Sequence, residues 1–148
     1  MKLLTAPNRL KDYDCRSLFL AGSIDNGAAI NWQPQIISAL EETDFLIFNP
    51  RRSDWDPKEI SDQVRWELDH ILQATHVLFF FAKDSLAPIS IGELYFLIGK
   101  NNIDKKIYVV IEDGFWRADN LIVTSAYANN ITFFKTIEEV ILCLKELN

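Results

Sequence analysis

The feature that most constrains the fold of this 148-residue chain is its alternation of short apolar runs with amphipathic segments. Residues 18–21, 45–48, 77–81, 107–111 and 131–133 are too short for helices and rich in β-branched or aromatic side chains, so they read as strands. Residues 29–40, 58–73, 89–100, 121–127 and 136–147 carry helical spacing. Strands that are apolar throughout and separated by helices imply a parallel sheet covered on both faces. The expectation is a flavodoxin-like three-layer α/β sandwich, with a five-stranded parallel sheet in the order 2-1-3-4-5. Residues 1–148 contain no repeat, low-complexity tract or linker and read as one domain.

Charge narrows the class of ligand. A net charge of −6 gives no broad cationic face for a nucleic acid polymer, so a small molecule is the expected partner. Cys15 and Cys143 are far apart, and His70 and His76 are the only histidines, which indicates neither a disulfide framework nor a zinc site. Residues 1–14 are polar and mixed in charge, and no apolar run approaches the roughly 18 residues of a membrane span. The reading is a soluble, cytoplasmic protein with reduced cysteines and no metal.

In sheets of this kind ligands bind beyond the carboxyl ends of the strands, where the strand order reverses. Three loops therefore matter. Gly22 and Gly27 have the interval of a phosphate loop, but Ala28-Ala29 replaces the Lys and Ser/Thr such a loop needs. What remains is either a plain turn or one that lets a ligand approach the backbone at Gly22 or Ser23. The second loop reads NPRRSDWDP. Asp56 before Pro57 is a helix start, Arg51 and Arg52 either pair with local carboxylates, the favoured reading, or orient a ligand, and Trp55 either stacks on a planar ligand or packs over the loop.

The helix that follows places Ile60, Val64, Leu68, Ile71 and Leu72 on one stripe, expected to be buried. Glu67 borders that stripe. A carboxylate there needs a partner, a solvent-filled cleft or a function. Trp66, between Gln63 and His70, is read as lying on an exposed face. Glu67 and His70 have E-x-x-H spacing, but only one such helix is present and a carboxylate-bridged metal centre needs two. The third loop leads into APISIGELYFLIGK, whose Ser90 and Glu93 fit a capping box. Glu93 is thus open to a capping reading and a chemical one.

Taken together, FLAGSIDNG, FNPRRSDWDP, QVRWELDHI and ISIGELYFLIGK resemble, in order and spacing, the nucleoside 2-deoxyribosyltransferase family, over about residues 17 to 125. The likeness is greatest to the members with an NPRR-x-x-W loop. The resemblance implies that Glu93, in the Glu-Leu pair of the third main helix, is the nucleophile. It implies that Glu67, where many members have Asp, contacts the base and handles its proton. Gly22 matches the Gly after the first strand, and Asn120-Leu121 matches a pair whose Asn reaches the sugar in a neighbouring subunit. One position departs: many members have a sugar-binding Asp six residues before the nucleophile, and a related group of deoxynucleoside 5′-monophosphate hydrolases has a phosphate-binding Ser, whereas this chain has Ala87. Asp84, Ser85 and Ser90 are the nearby polar side chains left to supply that contact.

The chemistry this implies is transfer of 2-deoxyribose between nucleobases by a homo-oligomer that uses no cofactor, with a deoxynucleoside and a free nucleobase as substrates. Glu93 attacks C1′ while Glu67 protonates the leaving base. Glu93, on the first helical turn, is expected to stay ionised, and Glu67 to be the more easily protonated of the two. Trp55 and, more weakly, Trp66 are candidates for a base clamp. A hydrolase acting on a deoxynucleoside or its monophosphate, and a silent nucleotide-binding module, are the alternatives.

Overall fold

A computed structural model describes residues 1–10, 13–54, 56–100 and 104–147. Its centre is a six-stranded, fully parallel sheet: β1 Lys2–Thr5, β2 Ser17–Gly22, β3 Leu46–Asn49, β4 His76–Phe81, β5 Lys106–Ile111 and β6 Ile131–Phe134, in the order β1-β3-β2-β4-β5-β6. The five expected strands are β2 to β6, in the expected mutual order. The sixth, β1, falls in the segment read as merely polar. It pairs Lys2 to Thr5 with Leu46 to Asn49 at the sheet edge, where only Leu4 of its four residues is buried.

The central strands are buried on both sides, with all six residues of β2 inaccessible. One face packs Phe19, Phe48, Phe79 and Phe81 under α2 (Ile60–Gln73), α3 (Pro88–Gly99) and α4 (Ala118–Ser125), through Trp66, Leu94 and Leu121 among others. The other packs Leu18, Ile47, Leu78 and Val110 against α1 (Gln33–Ala39) and α5 (Ile137–Lys145). Helix α5 starts where its chemistry requires, with the Thr136 hydroxyl accepting from the Glu139 N–H at 3.3 Å. Cys15 and Cys143 are both free. No helix among the described residues is long and apolar enough to cross a membrane.

Helix α2 departs from its expected orientation. Gln63, Trp66, His70 and Ile71 face the sheet, while Ile60, Val64, Leu68 and Leu72 are each at least 38 % exposed. The reason lies in Trp66, the largest apolar side chain available to that helix. It packs on Phe48, Phe19 and His70, and its Nε1 donates to Asn8 O at 2.6 Å. Gln63 and His70 become tolerable inside because they are satisfied there. Gln63 Nε2 donates to Pro50 O at 2.9 Å, and His70 Nδ1, facing the Trp66 carbonyl at 2.7 Å, is its donor. Trp66 is therefore a core residue and not a ligand clamp. His70, 3 % exposed, is a core histidine.

Candidate active site

The carboxyl ends of β2, β3 and β4 open into a cavity of about 610 Å³ on the α2–α3 side of the sheet. Its walls are largely apolar: Phe19, Ile24, Ile60, Val64, Leu86 and Ile89. Its polar lining includes Asp25, Gln63, Glu67, Asp84, Ser90 and Glu93, with Arg51 and Arg52.

Five of the residues expected at a site converge here: Gly22, Glu67, Asp84, Ser90 and Glu93. Gly22 is required by backbone packing. At φ +136° an added Cβ would lie 2.2 Å from Phe80 O, so only glycine lets the end of β2 press against β4. Ser23 is fully buried behind the lining: its Oγ accepts from the Ala82 N–H at 2.9 Å and its carbonyl accepts from Trp32 Nε1 at 3.1 Å. Ser90 Oγ donates to Gly22 O at 2.9 Å, tying α3 to the end of β2. Ser85 is buried away from the lining, with no partner for its hydroxyl among the described residues. Asn120 is exposed on α4, outside this cavity. Trp55 lies outside the described residues.

The capping reading of Glu93 does not hold. Helix α3 begins with Pro88 at N1 behind Ala87, which adopts φ +42° and ψ +45°, so Glu93 stands in the second turn. Ser90 is already inside the helix and bonds across to β2. No helix cap therefore employs Glu93, and the dipole argument for its ionisation loses its basis, since that effect fades beyond the first turn.

The electrostatics run against the expectation that Glu93 stays ionised. Burial, reinforced by the neighbouring Glu67 carboxylate, pushes Glu93 up to about 8. Glu67 is also raised by burial, but the hydrogen bond from Gln63 Nε2 at 2.8 Å opposes the shift. Two carboxyls facing one apolar cavity titrate as a pair, and burial favours the neutral form of both.

Both arginines are spent on protein groups, in different ways. Arg52 pairs with Asp54 and Glu59, each at 2.8 Å, as expected. Among the described residues, Arg51 meets no carboxylate. Its guanidinium donates to the carbonyls of Gly27, Ala29 and Ile30 at 2.9–3.1 Å, and to Gln33 Oε1 at 3.4 Å. It fastens the loop after β2 to the end of β3. Asp25 and Gln63 are the lining polar residues that sequence reasoning passed over. Asp25 sits inside the glycine-bounded turn, and Gln63 beside a Trp taken as exposed.

A family model described as nucleoside 2-deoxyribosyltransferase like matches residues 15–115, more than half of the chain. The chain belongs to that family. Comparison with curated proteins returns no match. Within the deoxyribosyltransferase-like span fall β2, β3 and β4, their three carboxyl-end loops, and both cavity acids. Asn120 lies beyond it.

Proposed function

We propose that this deoxyribosyltransferase-like protein transfers 2-deoxyribose from a deoxynucleoside to a second nucleobase, through a glycosyl ester on Glu93. The observation that carries this reading is the placement of Glu67 and Glu93 on one apolar cavity, in a member of this family. Two acids sharing one proton supply what the reaction consumes. A Glu93 carboxylate oxygen forms a bond to C1′ as the C1′–N bond breaks, and the electron pair leaves with the base, which takes the proton of Glu67. The incoming base then attacks C1′, the ester bond to Glu93 breaks, and the proton lost by that base returns to Glu67. Protons and charge balance over the cycle.

Because burial favours the neutral form of both acids, productive binding must favour the form with the proton on Glu67 and the charge on Glu93. A base nitrogen placed beside Glu67 does this by accepting its hydrogen bond. The apolar walls formed by Phe19, Ile60 and Val64 suit a planar base and disfavour water. A base held there competes with water at a high effective concentration. Trp55 is assigned as an additional stacking surface on the sequence reading alone.

The reading includes assembly with further copies of the chain, with Asn120 reaching a neighbour's sugar. It is supported by Leu68 and Leu72 of α2, exposed and outside the cavity lining, and by the position of Asn120 away from its own cavity. The decisive assay supplies a deoxynucleoside and a different free base and separates the products. New nucleoside should form faster than free deoxyribose. Release of free sugar as the main product, whatever base is present, would make the protein a hydrolase.

A further inference from the structure

Asp25 has no part in the chemistry described above, yet it faces the same cavity. Its backbone is unusual, at φ +47°, a left-handed conformation that Asp tolerates better than most residues but that is still uncommon. The turn Asp25–Gly27 is held in that shape from outside. Gly27 N–H donates to Ile24 O at 2.8 Å, and Arg51 binds the carbonyls of Gly27, Ala29 and Ile30. The side chain so presented accepts from the Ala87 N–H at 3.4 Å through Oδ1, beside the start of α3. A carboxylate accepts several hydrogen bonds, and among the described residues one long contact leaves most of that capacity unused.

The cations at the cavity are committed elsewhere. Arg51 is spent on carbonyls, and Arg52 on Asp54 and Glu59. Among the described lining residues, neither guanidinium is left to neutralise a phosphate, while Asp25, Glu67, Asp84 and Glu93 all contribute acids. Such a cavity accepts hydrogen-bond donors and repels anions.

From this arrangement we infer that Asp25 is the specificity-determining residue of the site: its carboxylate accepts a hydroxyl of the substrate's sugar and, by its charge, excludes the 5′-phosphorylated form. The inference rests on the nucleoside reading above and gives it a substrate class, the neutral nucleoside. Arg51 is then a positioning residue, holding the turn from which Asp25 projects.

The test measures kcat/KM for wild type, Asp25→Ala and Asp25→Asn on four donors: a 2′-deoxynucleoside, its 2′,3′-dideoxy and 2′,5′-dideoxy analogues, and its 5′-monophosphate. Thermal unfolding confirms that each variant is folded. Asp25→Ala should lower kcat/KM on the deoxynucleoside by about 10–100-fold, the worth of a hydrogen bond to a charged group. That loss should shrink to about three-fold or less on whichever dideoxy analogue lacks the contacted hydroxyl. Asp25→Asn, which keeps an acceptor oxygen and drops the charge, should lose less on the nucleoside and gain on the monophosphate relative to it. An equal loss on the nucleoside and both analogues, no loss at all, or a wild-type preference for the monophosphate overturns the inference. If wild type cleaves the nucleoside and the Asp25 variants behave like it, only this inference falls. If wild type cleaves no nucleoside, the proposed function falls and takes the inference with it.

Discussion

Helices α5 and α2 are both amphipathic by sequence, but only α5 turns its apolar stripe to the sheet. Ile137, Val140 and Leu144 of α5 are buried beneath a Thr136 cap, as simple periodicity predicts. Helix α2 buries Gln63, Trp66 and His70, turns Ile60 and Val64 to the cavity and leaves Leu68 and Leu72 outside. The two helices do different work. Helix α5 only covers strands, so the largest apolar stripe wins. Helix α2 also walls a cavity, and its inner face must carry Glu67 and the Gln63 amide that holds it. Beyond the cavity, Leu68 and Leu72 keep an apolar surface that the described fold leaves exposed, which is why the proposed assembly is assigned to them.

The largest expected effect that separates the two helices is catalytic. Glu67→Gln, on the inner face of α2, should lower kcat by about 10²–10⁴-fold, the usual worth of a positioned general acid. Val140→Ala on α5 should leave turnover per folded molecule unchanged. Single-turnover rates for both variants, corrected for folded fraction, check this, and equal losses would erase the distinction.

Core packing gives the next effect. Trp66→Ala should destabilise by about 3–5 kcal/mol in urea or thermal unfolding, because it removes a fully buried ring and its bond to Asn8 O. Leu68→Lys with Leu72→Lys, on the outer stripe, should cost the isolated chain little. In sedimentation, the same pair should shift the protein to a smaller species. A folded double variant with unchanged mass would remove the α2 stripe from the assembly.

The smallest effect concerns pH. Glu93 ionises near 4.5 in an unfolded chain but is raised to about 8 when folded, so between those values the folded state binds more protons. Its contribution to stability is therefore fully present below pH 4.5 and is lost as pH rises through about 8. Glu93→Gln should unfold at nearly the wild-type temperature at pH 4 and several degrees above it at pH 9. Glu138→Gln on α5, at an exposed position, should show no gain at pH 9 over pH 4. A Glu93→Gln difference that stays constant with pH would contradict the burial of this carboxyl.

Most of the fold was legible because periodicity reports burial of whole elements. The five central runs became β2 to β6 in the expected order, since their apolar character follows directly from burial on both faces. Strand β1 was hidden because an edge strand with one buried residue leaves little apolar signal. The face of α2 was misread because counting apolar positions ignores size, and Trp66 outweighs the smaller aliphatic residues. The capping box was a false signal: Pro88, suited to the first helical position, set the start of α3 and carried Glu93 into the second turn.

The candidate site was legible through the order and spacing of the motifs, which single out Glu67 on α2 and Glu93 on α3. It was not legible where loops from different strands meet, as in the approach of Asp25 to Ala87, because no local pattern encodes that distance. The ionisation of Glu93 beside Glu67 was misjudged for the same reason. It depends on the burial of Glu93 and on the Gln63 amide, both properties of the assembled cavity.

The central claim, that Glu93 forms the glycosyl ester, is tested most directly by trapping it. A 2-deoxy-2-fluoroarabinosyl nucleoside slows breakdown of the intermediate, so incubation followed by intact mass and peptide mapping reads the residue that carries the sugar. One fluorosugar per chain, located on Glu93 and absent from Glu93→Gln, is the predicted result. A sugar on Glu67 or another residue, or steady turnover of an unmodified donor with no adduct at any time, would contradict it.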